Sequence, residues 1–192
     1  MMAGPCRATV GAWVSTWRWS VVPASGQSRR AWGWHRLADE WAAQVVAAAG
    51  VRPGELVLDI GAGEGALTAH LVRAGARVVA VELNPRRAEV LRERFPGITV
   101  VHADATSVPL PGRPFRVMAN PPYGISSSLL RTLLAPGSRL LAADLVLQRA
   151  VVRKYASGPA RRFSLTVGLK LPRRAFLPPP HVDSAVLVIR RR

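Results

Sequence analysis

The sequence predicts a doubly wound α/β domain built on a mostly parallel sheet, with an antiparallel strand pair added at its C-terminal end. Two observations carry this. Short apolar runs without polar alternation read as strands buried on both faces, and they alternate along the chain with segments of helical period, the pattern of a parallel sheet with helices on both sides. A third supports it: the first run ends in a glycine-rich turn that opens a helix.

Taken in order, residues 1–30 carry Trp13, Trp17 and Trp19 among small residues without a sustained period, and are expected to be a flexible or mis-assigned N-terminal extension. A single folded domain is expected over 31–192. From Leu37 the pattern turns helical, with Leu37, Trp41 and Val45 on one face, Asp39 and Glu40 near the start and Gly50 as the stop. Strands are predicted at Leu56–Ile60, Val78–Val81, Ile98–Val101, Phe115–Ala119 and Leu140–Leu147, and helices over 65–74, 85–94 and 126–135. A basic helix around 149–157 then leads to strands at Ser164–Leu171 and Ala185–Ile189, joined by the proline-rich "LPPPHVDS". These two form the expected antiparallel pair at the sheet edge.

A chain of 192 residues supports one sizeable core. No apolar run reaches membrane-spanning length, and a single cysteine, Cys6, cannot form an internal disulfide. Lys+Arg is 27 against 11 Asp+Glu, and 25 of the cations are arginine because Lys154 and Lys170 are the only lysines. An excess of this kind attracts polyanions, nucleic acid above all. A solvated surface in an arginine-rich composition is the bland explanation. His70, His102 and His181 are scattered, so no metal is expected.

In "LVLDIGAGEGALT", Gly61, Gly63 and Gly65 follow the first strand and permit a tight turn with close ligand approach. Gly61, Gly63 and Ala66 would equally satisfy a dinucleotide fingerprint. The acids weigh against that: Glu64 would oppose a pyrophosphate at the helix start, whereas Asp59 and Glu64 suit a ligand with ammonium and sulfonium charges. S-adenosylmethionine carries both. Glu82 ends the second strand, where a carboxylate can accept ribose hydroxyls. Asp104, after the third strand, could accept from an adenine amino group, or could simply cap a turn.

The run Phe115–Ala119 stops at "NPPY", residues 120–123. Ligands bind at the carboxyl ends of strands in such sheets, so Asn120 converges with the glycine loop. An adenine exocyclic amine is a weak nucleophile, its lone pair delocalised into the ring. Two acceptors aimed at its hydrogens, the Asn120 side-chain oxygen and the Pro121 carbonyl, would localise that pair, while the prolines fix the turn and remove competing N–H groups. Tyr123 offers a ring on which an everted base can stack.

The motifs "DIGAGEGALT", "VELNP", "HADAT", "NPPY", "LVLQRAVVRKYASG" and "FLPPPHVDSAVLVIRR" occur in the order found in adenine-specific rRNA methylases. Over residues 28–192 the chain resembles the Erm macrolide-resistance enzymes and the related dimethyladenosine transferases. The resemblance implies a Rossmann-like class I methyltransferase with S-adenosylmethionine as donor and the exocyclic N6 of an rRNA adenine as acceptor. It implies donor contacts at His35, Leu37, Asp59, Gly61, Gly63, Gly65, Glu82, Leu83, Asp104, Ala105 and Asn120, and base handling by Asn120, Pro121 and Tyr123. The family's Gln-Asn/His-Phe-Leu segment stands here as Trp34-His35-Arg36-Leu37, and Pro121 replaces the usual Leu or Ile.

Family members continue beyond the last strand into a helical RNA-gripping domain. The chain ends at Arg192, so that domain is expected to be absent, as in a short Erm type. RNA contact is then expected from Arg29, Arg30, Arg36, Arg149, Arg153, Arg161 and Arg162. The expected protein is a cytoplasmic monomer acting on ribosomal RNA, with 23S favoured, and using no metal or membrane. A 16S dimethyladenosine transferase, a DNA-adenine methylase and a non-catalytic ribosome-assembly factor remain as other readings.

Overall fold

The computed structural model describes residues 35–158 and 161–192. The predicted N-terminal extension, with Arg29 and Arg30, lies outside them. In chain order the elements are β1 Arg36–Leu37, α1 Asp39–Ala49, β2 Leu56–Ile60, α2 Ala66–Arg73, β3 Arg77–Glu82, α3 Pro85–Arg94, β4 Thr99–His102, β5 Phe115–Ala119, α4 Ser126–Leu133, β6 Leu140–Gln148, α5 Arg149–Ala156, β7 Phe163–Leu171, β8 Phe176–Leu177 and β9 Ser184–Arg191.

Seven strands form the main sheet in the order β4-β3-β2-β5-β6-β9-β7. Those from β4 to β6 are parallel, and β9 runs antiparallel to both β6 and β7. This is the predicted doubly wound sheet with its antiparallel pair. The last strand enters between β6 and β7 instead of lying outermost, and burial explains why. The run Ser184–Leu187 of β9 is fully buried, whereas Thr166, Val167 and Lys170 of β7 are exposed and suit an edge. A bulge between Val167 and Lys170 interrupts that edge, and a Cβ on Gly168 would come within 2.6 Å of Val188.

Alternate strand residues supply two cores. Leu58, Phe115, Val117, Leu145 and Leu187 pack against Leu130 of α4 and Val152 of α5. Val57, Met118, Val146 and Val186 pack on the other face against Val45 of α1 and Leu71 of α2. Gly50 stops α1 in the left-handed conformation at φ 60°. The "NP" of "VELNP" starts α3: the Asn84 side chain accepts the Arg87 N–H at 3.2 Å, with Pro85 at the first helical position.

Two features escape the apolar pattern. Strands β1 and β8 pair antiparallel, Arg36 with Leu177 and Leu37 with Phe176, binding the segment before α1 to the proline-rich loop. Within the apolar run of β5, Arg116 is buried. Its guanidinium donates to the Ala49 carbonyl at 2.6 Å and the Gly50 carbonyl at 3.2 Å, and it pairs with Glu55 at 2.8 Å. Asp144, 3.9 Å away, is also held by Arg190 at 2.9 Å. Burial pushes the Glu55 carboxyl up, but the Arg52 amide and the Arg116 guanidinium outweigh it and hold it below its ordinary value.

Candidate active site

The site is assembled where β2, β3 and β5 end. Gly61, Gly63 and Gly65 have φ of 74°, 59° and 90°, a region closed to most side chains. The Gly61 and Ala62 amides donate to the Val81 carbonyl at 2.8 and 3.1 Å, drawing the loop over β3. Glu82 then works as a strut. One carboxylate oxygen accepts from the Gly63 amide and the other from the Asn84 amide, each at 2.8 Å. At Gly65 space is limiting as well, since a Cβ there would lie 2.5 Å from the Phe95 ring.

Behind this loop Asp59 is 1% exposed. Its Oδ2 accepts the Thr68 hydroxyl at 2.6 Å, while its Oδ1 has no hydrogen-bond partner among the described residues. Burial raises its pKa to about 7; the Thr68 hydrogen bond opposes this and the neighbouring Glu82 charge adds to it. Asp59 lines a cleft with Leu37, Gly61, Glu64 and Asn120, so the orphan acceptor belongs to a cavity wall that a cation would satisfy.

Asn120 leaves β5 against the first glycine: a Cβ on Gly61 would be 3.6 Å from Pro121 Cα. The Asn120 Nδ2 donates to the His35 carbonyl at 2.8 Å, which leaves the side-chain oxygen as the end able to accept. The Pro122 carbonyl is taken by the Ile125 amide at 3.1 Å. The Pro121 carbonyl receives no hydrogen bond among the described residues. Asn120 lines the cleft, and the adjacent Pro121 carbonyl is free to accept a hydrogen bond.

Tyr123 begins a 3-10 turn over Tyr123–Ile125. Its hydroxyl shares a 2.8 Å hydrogen bond with the Ser184 hydroxyl, and burial pushes its pKa up against that bond. The His35 ring stacks toward it at 6.0 Å between centroids and 30° between planes. His35 Nδ1 is 2.8 Å from the Pro178 carbonyl.

The remaining sequence-predicted residues spread outward. The Leu83 carbonyl meets His102 Nε2 at 2.9 Å. One Asp104 oxygen accepts from both the amide and the hydroxyl of Thr106 at 2.8 Å, closing a turn, and Ala105 follows half-buried. Arg36 lines the Asp59 cleft. Arg149 starts α5 at the same end and pairs with Asp183 at 3.4 Å. Arg153 is exposed along that helix. Arg161 and Arg162 stand at the opposite end. They precede Phe163, which pairs with Arg191, and Arg162 donates to the Ala135 carbonyl at 3.3 Å.

Thr68, Ser184 and the His35 carbonyl were missed by sequence reasoning. Thr68 lies in the first turn of α2 and closes the "DIGAGEGALT" motif, but its residue type gave no role. Ser184 is separated from Tyr123 by 61 positions. Among the described residues no group of three or more His, Cys, Asp or Glu could hold a metal, and no helix is long and apolar enough to cross a membrane.

A sequence profile described as Ribosomal RNA adenine dimethylase matches residues 27–192. The chain is 37% identical over 169 residues to a ribosomal RNA small subunit methyltransferase A of Leifsonia xyli, covering 77% of this chain and 60% of that one. It is 38% identical over 163 residues to the mycinamicin-resistance protein MyrB of Micromonospora griseorubida, covering 78% and 50%. Among solved structures, the 23S rRNA methyltransferase ErmE superposes with a TM-score of 0.74 at 34% identity, covering 81% and 69%. The chain thus spans about 50 to 60% of the length of these curated relatives.

Proposed function

Because the chain belongs to the ribosomal RNA adenine dimethylase family, we propose that it transfers a methyl group from S-adenosylmethionine to the exocyclic N6 of an adenine in ribosomal RNA. We place that adenine in 23S rRNA, where the modification would give resistance to macrolide, lincosamide and streptogramin antibiotics.

The observation that carries the chemistry is the fixed amide of Asn120. With Nδ2 committed to the His35 carbonyl, Oδ1 and the Pro121 carbonyl can each accept one hydrogen of an incoming amine. Holding both N–H bonds rotates the nitrogen lone pair out of conjugation and directs it along one line. Tyr123 supplies an apolar face for the base, its hydroxyl tethered to Ser184. When bound, the donor supplies an electrophilic methyl on a cationic sulfur.

The residues present fit that donor. The unpartnered Oδ1 of Asp59 suits the ammonium of its amino-acid end. Glu82 uses one lone pair on each oxygen for Gly63 and Asn84, which leaves further acceptor sites for ribose hydroxyls. One Asp104 oxygen is likewise uncommitted to the Thr106 turn and is available to an adenine amine.

Support for a 23S target is the likeness to a mycinamicin-resistance protein and to ErmE. The 37% identity to a small subunit methyltransferase favours a second reading, an adenine of 16S rRNA. Primer extension on both rRNAs from cells with and without the gene decides between them. A new stop at a 23S adenine, absent from 16S, is the expected result; a stop in 16S alone replaces the first reading with the second.

A further inference from the structure

We infer that Arg94 is a positioning residue for the donor: together with Phe95 it clamps Glu64 and Gly65 from outside the glycine loop and keeps that loop preformed beside the cleft. This rests on the proposed use of S-adenosylmethionine and extends it to the end of α3, whose residues are not part of the cleft lining.

Three successive loop residues are gripped from two sides. On the strand side the Gly63 amide donates to Glu82 at 2.8 Å. On the helix side the Arg94 guanidinium donates to the Glu64 carbonyl across 30 positions of sequence. The Phe95 ring then closes against Gly65, where an added Cβ would meet Phe95 at 2.5 Å and Leu91 at 3.1 Å. Gly65 has φ of 90°, so contact and backbone conformation both hold the turn into α2.

Arg94 and Phe95 work as one unit. The guanidinium lies over the Phe95 ring, 5.2 Å from its centroid, an attraction that narrows the rotamers open to an exposed side chain. Phe95 packs in turn with Ala62, Ala80 and Leu91, which ties the clamp to β3 and to the loop itself. Among the described residues no carboxylate pairs with Arg94.

The consequence falls on donor binding. With its carbonyl committed to α3, Glu64 lines the cleft together with Asp59, Gly61 and Asn120. A cationic donor therefore meets a loop that is already set, with its acids in place. A loop released from Arg94 would have to be ordered when the donor binds, and affinity would fall by that cost. The chemical step belongs to the Asn120 turn and does not depend on the clamp.

The test uses the full chain with Arg94→Ala and Arg94→Lys. A single hydrogen bond at an exposed site changes an equilibrium by about 3- to 12-fold. Arg94→Ala should weaken calorimetric affinity for S-adenosylmethionine by that factor and raise the donor KM with it, while kcat at saturating donor on ribosomal RNA stays within about twofold. Amide hydrogen exchange at Gly63 and Gly65, whose N–H groups are held by Glu82 and the Ala62 carbonyl, should quicken by a similar factor while amides in β5 and β6 keep their rates. Arg94→Lys retains a cation able to reach the Glu64 carbonyl, so it should bind the donor more tightly than Arg94→Ala and slow the loop exchange again. Unchanged donor affinity and loop exchange in Arg94→Ala overturn the inference and leave the proposed function standing. Faster exchange throughout the molecule, or a kcat that falls as far as affinity, marks a general structural role and overturns it as well, as does Arg94→Lys performing no better than Arg94→Ala. If wild type takes up no S-adenosylmethionine, the proposed function fails and the inference falls with it.

Discussion

The side-chain amide of Asn120 donates to the main-chain carbonyl of His35 across 85 positions of sequence. The residue that follows β5 is therefore oriented by a segment lying before the first helix. An untethered asparagine would present either end to the substrate; this one presents its oxygen.

Asn120→Ala removes one of two acceptors from the amine and should lower kcat by on the order of 100-fold or more, the scale of losing one preorganised hydrogen-bonding group. Asn120→Asp should fare no better, because a carboxylate cannot donate to the His35 carbonyl and the tether is lost. Donor affinity measured by calorimetry should change little in either. Joint loss of turnover and donor binding would show instead that Asn120 supports the glycine loop through Pro121 and Gly61.

The orphan oxygen of Asp59 makes donor binding a titration. With a pKa raised to about 7, the carboxyl is protonated in much of the unliganded protein at neutral pH and below. A cationic donor favours the ionised form, so binding below about pH 7 must expel a proton and affinity should fall by up to tenfold per pH unit. Asp59→Asn should bind weakly and lose that slope. Stability runs the other way. The folded state holds this proton more tightly than the unfolded chain, so the contribution is present at acid pH and is lost as pH rises from 3.8 toward about 7. Donor affinity that is flat between pH 5 and 8 would exclude Asp59 from the donor site.

Much of this architecture was legible in the sequence, and the reasons for the rest are physical. β2 and β5 match their predicted ranges residue for residue, because a buried parallel strand is a mostly apolar run and Gly61 and Pro114 punctuate these two. The convergence of Gly61 with Pro121 was legible too, since both follow strands whose carboxyl ends share one rim. What hydrophobic pattern cannot carry is pairing between polar groups far apart in the chain. Arg116 sits inside an apolar run, and its partners Glu55 and Asp144 gave no periodic signal. β1 and β8 have two residues each, too short for any period, although they set the position of His35. The insertion of β9 between β6 and β7 depends on which strand is more apolar on both faces, a comparison between strands that no single run displays.

The expected RNA-contacting arginines divide between the two ends of the sheet, which makes stem length a variable. Arg149 lies at the catalytic rim, whereas Arg161 and Arg162 precede the first residue of a nine-residue strand, about 30 Å away along β7. Ten base pairs at about 3.4 Å each span that distance. Arg149→Ala should weaken binding of any hairpin and reduce the salt slope by about 1. The Arg161→Ala, Arg162→Ala pair should do so only for stems of about ten base pairs or more. Filter binding across a salt series reads both, and an equal effect of the pair on short and long stems would place the RNA on a different path.

Arg116 is where the fold itself is most exposed to a single change. Its guanidinium satisfies two carbonyls at the end of α1 and one carboxylate oxygen of Glu55, with Asp144 at 3.9 Å. Arg116→Met keeps the volume and removes the charge, leaving two helix-terminal carbonyls without their donor and the half-buried Glu55 carboxylate with Arg52 alone. Removing one partner of a buried pair typically costs about 3 to 5 kcal/mol, which for a chain of this size lowers the melting temperature by roughly 6 to 20 °C. Arg190→Met should cost less, since that side chain is 35% exposed and Asp144 retains Arg116 nearby. Thermal denaturation separates the two, and because the cluster lies at the end of β5 remote from Asn120, donor affinity below the transition should be unchanged in both. Equal melting temperatures for wild type and Arg116→Met would mean that water replaces the guanidinium at no cost, and that the network is incidental to the fold.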